Sequence, residues 1–160
     1  MWVKVETVND DAFHGILDND PDEPTSPLEA GDSIIFRRHD ILAVDWKDPE
    51  RSPPPADYRE YWKRCLVDRC VIAGEEPVEY LYREEPDMAA DGDKYPDSGW
   101  RIRGRMGTAT DAEMDGRNAE YVALGLFLNR DDSWLPWIDA PIGTSLMRNF
   151  ELNTYVEKSR

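Results

Sequence analysis

Only two cysteines, Cys65 and Cys70, and two histidines, His14 and His39, occur in the 160 residues. That scarcity argues against a disulfide-stapled fold and makes a poor zinc set, because structural zinc takes four ligands in paired short spacings. The gap of five places the two thiols on roughly opposite sides of a helix, out of bridging reach, so they read as reduced and structural. Basic side chains are short as well, 19 against 34 acidic ones for a formal net charge of −15. Nucleic acid and anionic membrane surfaces are therefore not expected as partners, since both are bound by a basic face. No apolar run approaches the length that crosses a bilayer. The N-terminus Met1-Trp2-Val3-Lys4-Val5-Glu6 alternates like a strand and lacks the basic region and apolar core of a secretory leader, so the expected location is the cytoplasm.

Catalytic motifs are missing too: no G-x-x-x-x-G-K-S/T phosphate loop, no G-x-G-x-x-G, no H-E-x-x-H and no G-x-S-x-G. Ser98 has no histidine near it in sequence and reads as a turn residue rather than a nucleophile. Glu84 and Glu85, as neighbours in a strand, point to opposite faces and cannot readily share a proton or a metal. Asp91, Asp93 and Asp97 fit no EF-hand spacing and read as a solvated acidic loop. No catalytic residue, metal or cofactor is expected.

What is present is 40% apolar and 33% charged residues, enough for an ordered domain. Strands are expected at Trp2 to Val8, Ala12 to Leu17, a Gly31-Asp32 turn into Ser33 to Phe36, and Ile41 to Trp46. Pro49, Pro53, Pro54 and Pro55 then interrupt regular structure. Asp57 is placed to cap a helix carrying Tyr58, Tyr61, Trp62, Cys65, Leu66 and Arg69 at helical spacing. Val78 to Glu85 and Trp100 to Met106 read as an antiparallel pair. Thr110 or Asp111 caps a short helix ending near Gly116, Tyr121 to Leu128 reads as a buried helix ending at Asn129, and Asp131-Asp132-Ser133 caps another with Trp134, Leu135, Trp137 and Ile138. Thr144 to Glu151 is the last expected strand, with residues 156 to 160 frayed. The expected fold class is α+β, antiparallel sheet units with a few short helices: an N-terminal β unit of residues 1–48, a Pro-rich linker of 49–56 and a C-terminal unit of 57–155.

The most distinctive stretch is Tyr82-Arg83-Glu84-Glu85-Pro86, a polar loop, and Asp97-Ser98-Gly99-Trp100 opening the second strand of the pair. Arg101, Arg103 and Arg105 share one face of that strand, opposite Trp100, Ile102 and Met106. Three like charges so spaced need anions: either Glu79 and Glu85 on the adjacent strand, or a bound phosphate or carboxylate. Arg83 is placed to tie the loop down by a bidentate contact with Asp97. Residues 1 to 50 hold 13 acidic and 4 basic side chains, a net −9, leaving −6 for the rest. A partner recognised electrostatically should be basic and should meet the N-terminal third; solubility alone is the other use of the acid.

At Tyr82 to Pro86, at Asp97 to Ile102 with Gly104, and at Pro141-Ile142-Gly143-Thr144 leading to Arg148, the sequence resembles a bacterial family of immunity proteins of polymorphic toxin systems. The likeness covers about residues 66 to 150. The family's acidic Gly-Asp-Glu step is Gly104-Arg105-Met106 here, so no role of those acids carries over. Residues 1 to 46 resemble a second, uncharacterised bacterial domain type through Gly15 to Pro21, Leu28 to Phe36 and Asp45-Trp46. The resemblance implies a non-enzymatic protein that binds and neutralises a partner toxin, with Tyr82, Arg83, Pro86, Asp97, Ser98, Gly99 and Trp100 as its structural signature. Asp18, Asp20, Asp22 and Glu23 are the expected contacts with a basic toxin domain. The alternative is a small-molecule or anion-binding domain using Arg101, Arg103 and Arg105.

Overall fold

The computed structural model describes residues 1–22, 26–52, 61–88 and 93–158. Contacts divide the chain into two compact units, Met1–Asp45 and Trp46–Arg160.

The first unit is a three-stranded antiparallel sheet of β1 (Val3–Asn9), β2 (Ala12–Leu17) and β3 (Ser33–Arg37), in that order. Asp10 turns the chain between β1 and β2 with a φ of 53°, a conformation that Asp tolerates better than most residues. Residues 41–46, expected as a strand, are irregular, and the chain leaves β3 through a 3-10 turn at Arg38–Asp40 instead. The Asp40 carboxylate accepts the Arg37 N–H, an Asx-type bond that diverts the backbone from the sheet ladder.

The second unit is built on a six-stranded sheet, ordered β7-β4-β6-β5-β8-β9. Its strands are β4 (Arg64–Asp68), β5 (Val78–Arg83), β6 (Asp97–Gly104), β7 (Ala119–Ala123), β8 (Ser145–Asn149) and β9 (Thr154–Glu157). The β5/β6 pair is antiparallel as expected, Leu81 opposite Ile102 and Tyr82 opposite Arg101. β4 lies parallel to β6, so the sheet is mixed rather than purely antiparallel, within an α+β fold. Register aligns Val67, Ile102, Leu81 and Leu146 in one row across four strands. All four are fully buried, each contributing roughly 1.5–3 kcal/mol of transfer free energy. The helices α1 (Arg69–Ile72), α2 (Asp111–Asp115) and α3 (Leu124–Leu128) are short. α1 and α3 deliver Val71, Leu124 and Phe127 to the core, where Phe127 stacks on Trp134 and Trp134 meets Trp100 edge to face.

Several local expectations are corrected. Arg64–Asp68 is a strand, not the end of a helix: Cys65 and Val67 are buried while Leu66 pairs with Tyr121 and Arg101 on the other side. That two-residue period won because β6 and β7 flank it with free ladder groups; Asp57 and Tyr58 lie outside the described residues. The first half of the expected helix at 121–128 is β7, which pairs with β4, and only Leu124–Leu128 is helical, closed by Asn129. Residues 131–138 form a 3-10 turn, Leu135–Trp137, rather than an α-helix. Val156 and Glu157, expected frayed, pair with Met147 and Leu146 in β9. α2 forms where expected, capped by Thr110, whose hydroxyl accepts the Glu113 N–H, and ending at Gly116.

Candidate functional site

The Asp-Ser-Gly turn at the start of β6 is the centre of a closed polar network. Asp97 is buried, and its Oδ1 accepts the Gly99 N–H at 2.9 Å, folding the backbone into a tight turn. Its Oδ2 accepts the Asp87 and Met88 N–H groups at 3.2 and 3.3 Å, fastening the segment that follows β5. Ser98 Oγ donates to the Arg64 carbonyl at 2.7 Å and accepts the Trp100 N–H at 3.2 Å, joining β4 to β6. Trp100 is fully buried, with its indole N–H donating to the Ile138 carbonyl at 3.1 Å. Arg83 donates from Nε to the Ser98 carbonyl and from Nη1 to the Ala140 carbonyl, at 3.0 and 2.6 Å. Its backbone accepts from Gly143 and donates to Thr144, so the Pro141-Ile142-Gly143-Thr144 turn is held to the same strand.

Arg101 closes the network. Nη1 and Nη2 grip Asp97 at 3.0 and 2.9 Å, Nε donates to Glu84 at 2.6 Å, and Nη2 also donates to Asp87 at 2.6 Å. With the Trp100 carbonyl 3.3 Å from Nη1, all five guanidinium N–H groups have acceptors. Asp97 is as buried as Arg101, whereas Glu84 and Asp87 face water, so the buried bidentate pair dominates and the exposed pairs add little. Burial alone would raise the Asp97 carboxyl, but hydrogen bonds from Arg101, Gly99 and Met88 carry it below its ordinary value. Burial likewise works against the Arg101 charge, and the bonds from Asp97 and Glu84 overcome it and raise its pKa.

The structure thus brings Tyr82, Arg83, Asp97, Ser98, Gly99, Trp100 and Arg101 together, while Pro86 lies exposed on the segment between Glu84 and Asp87. The bidentate partner of Asp97 is Arg101, not Arg83, because Arg83 pairs in register with Trp100 and is drawn to carbonyls on that side. Nor are the arginines held by Glu79 and Glu85. Glu79 accepts the Met106 N–H, and Arg103 reaches the buried Asp68 at 3.2 Å and the Met114 carbonyl. Arg105 stands apart, its guanidinium 4.9 Å over the Phe150 ring. An added anion would find no free N–H on Arg101. Among the described residues no group of three His, Cys, Asp or Glu side chains is placed to hold a metal ion.

Of the acidic contacts expected in the first unit, Asp18 pairs with Lys4, Asp20 accepts the Ala30 N–H, Asp22 is exposed, and Glu23 lies outside the described residues. Sequence reasoning missed Asp68 and Asp87. Asp68 was hidden by the helical reading of its segment. Asp87 carried a readable signal, an acid just past a strand whose partner strand bears the arginines.

A small mixed-sheet α+β domain whose signature charges are satisfied by one another is the class this geometry defines. A family model described as the immunity protein Imm33 domain matches residues 65–158, more than half of the chain, and the chain belongs to that family. The match lies wholly within the second unit. No curated protein and no solved structure matches the chain.

Proposed function

We propose that the chain is a non-catalytic binding protein of the immunity type, which neutralises a partner toxin by covering it. The match to the immunity domain over residues 65–158 carries this reading. The net charge of −15 supports a basic toxin domain as the partner, met in the cytoplasm and steered by the acid of the N-terminal third. Asp18, Asp20, Asp22 and Glu23 are the proposed contacts. The signature residues then serve as scaffold: a turn that accepts five hydrogen bonds on one carboxylate ties Asp87 and Met88, just past β5, to the start of β6.

The test is co-expression with the cognate toxin domain. The chain is expected to restore growth and to form a stable complex with the purified toxin. Toxin activity unchanged at saturating chain would overturn the proposal.

A further inference from the structure

We propose that the apolar face of the β1-β2-β3 sheet is the docking surface for that basic partner, an inference that rests on the toxin-neutralising reading above. The face is assembled by a β-bulge. Register shifts between Val5 and Thr7, so Val5 lies opposite Gly15, and Val8 lies opposite Phe13. Strict two-residue alternation would send Val5 and Val8 to opposite faces; the extra residue returns both to one. In β3, Ile34 lies opposite Gly15 and Phe36 opposite Phe13, and the two phenylalanine rings stack at 5.4 Å.

This face is open. Leu17 is the one buried apolar side chain among the described residues of the unit, whereas Val5 and Val8 are 49% and 54% exposed. Acid flanks both ends of the strands: Asp10 and Asp11 at the β1/β2 turn, where Arg38 pairs with Asp11 and lies over the Phe13 ring, and Asp32 with the Lys4-paired Asp18 at the other end. Residues 1–45 carry 11 acidic and 3 basic side chains. That charge repels a second copy of the chain and an anionic membrane alike. What complements it is a protein surface with an apolar centre ringed by lysine and arginine.

The experiment compares full-length variants against the purified cognate toxin domain. Val8→Lys places a charge of the partner's sign in the face and is expected to weaken binding about tenfold or more. Ile35→Lys, at a 74% exposed position opposite His14 on the other face, is expected to change it less than about twofold. Val8→Cys should react with a maleimide in the free chain and be protected in the complex, which decides the matter if the lysine variant does not fold. Equal binding by both lysine variants, a thiol at position 8 that is unreactive in the free chain, or one still labelled in the complex overturns the docking surface while toxin neutralisation stands. A parent chain that does not bind the toxin overturns both.

Discussion

A Cβ at residue 99 would sit 2.2 Å from the Glu84 carbonyl oxygen, and the φ of +79° there is one that L side chains rarely adopt. Neither problem can relax, because Glu84 N donates to the Gly99 carbonyl and fixes the approach. Gly99→Ala is expected to destabilise the chain by roughly 2–4 kcal/mol, read from the urea midpoint. Gly107→Ala, at φ +54° with nothing within 4 Å, should cost only about 1 kcal/mol. Arg101→Leu strands a buried carboxylate and is expected to cost about 3–5 kcal/mol. The same carboxylate sets an acid limit. Asp97 titrates lower in the folded chain than in the unfolded one, so its stabilisation is present above the ordinary carboxyl range, near pH ~4, and is lost as pH falls through the folded value. Asp97→Asn should lower stability at pH 7 and flatten the acid limb below about pH 4.

β9 presents Tyr155 to the core of the second unit, and burial pushes its hydroxyl up to about 12. An unfolded tyrosine ionises near ~10 while the folded one keeps its proton, so stability is expected to fall as pH rises from about 10 to 12. Tyr155→Phe should lessen that alkaline loss in denaturation measured across the same range, leaving the share of Tyr82, Tyr121 and the two thiols, which burial also raises. Elements whose signal is local were legible in the sequence. The β5/β6 pair is fixed by alternation and the Asp-Ser-Gly turn, and α2 by the capping box of Thr110 and Glu113. Elements decided at a distance were not. Tyr61, Cys65 and Leu66 satisfy a helical spacing as well as Cys65 and Val67 satisfy a strand, and only the open edges of β6 and β7 choose between them. The network was half legible for the same reason. Strand parity grouped Arg101 with Arg103, but the reach of Glu84 and Asp87 depends on how the segment after β5 folds back.

For the whole molecule, a charge of −15 makes association with a basic partner a long-range event. The association rate is expected to fall about tenfold or more between roughly 20 and 500 mM salt, with the dissociation rate nearly constant, as stopped-flow mixing would show. A rate indifferent to salt would sink the electrostatic part of the proposal. Of the six indoles, Trp62 and Trp137 are half-buried and the other four divide by environment in a way that makes such experiments easy to follow. Trp100 and Trp134 lie 5.1 Å apart at 67° and are fully buried, while Trp2 and Trp46 are exposed. A neutral collisional quencher such as acrylamide should therefore extinguish the emission of Trp2 and Trp46 and spare the buried pair. Two rings so close and crossed at 67° are placed to couple their excited states, and the exciton circular dichroism of the pair is expected to be lost when the core of the second unit opens. The chain thus carries its own optical labels, one set for the solvent-facing indoles and one for the integrity of the immunity domain.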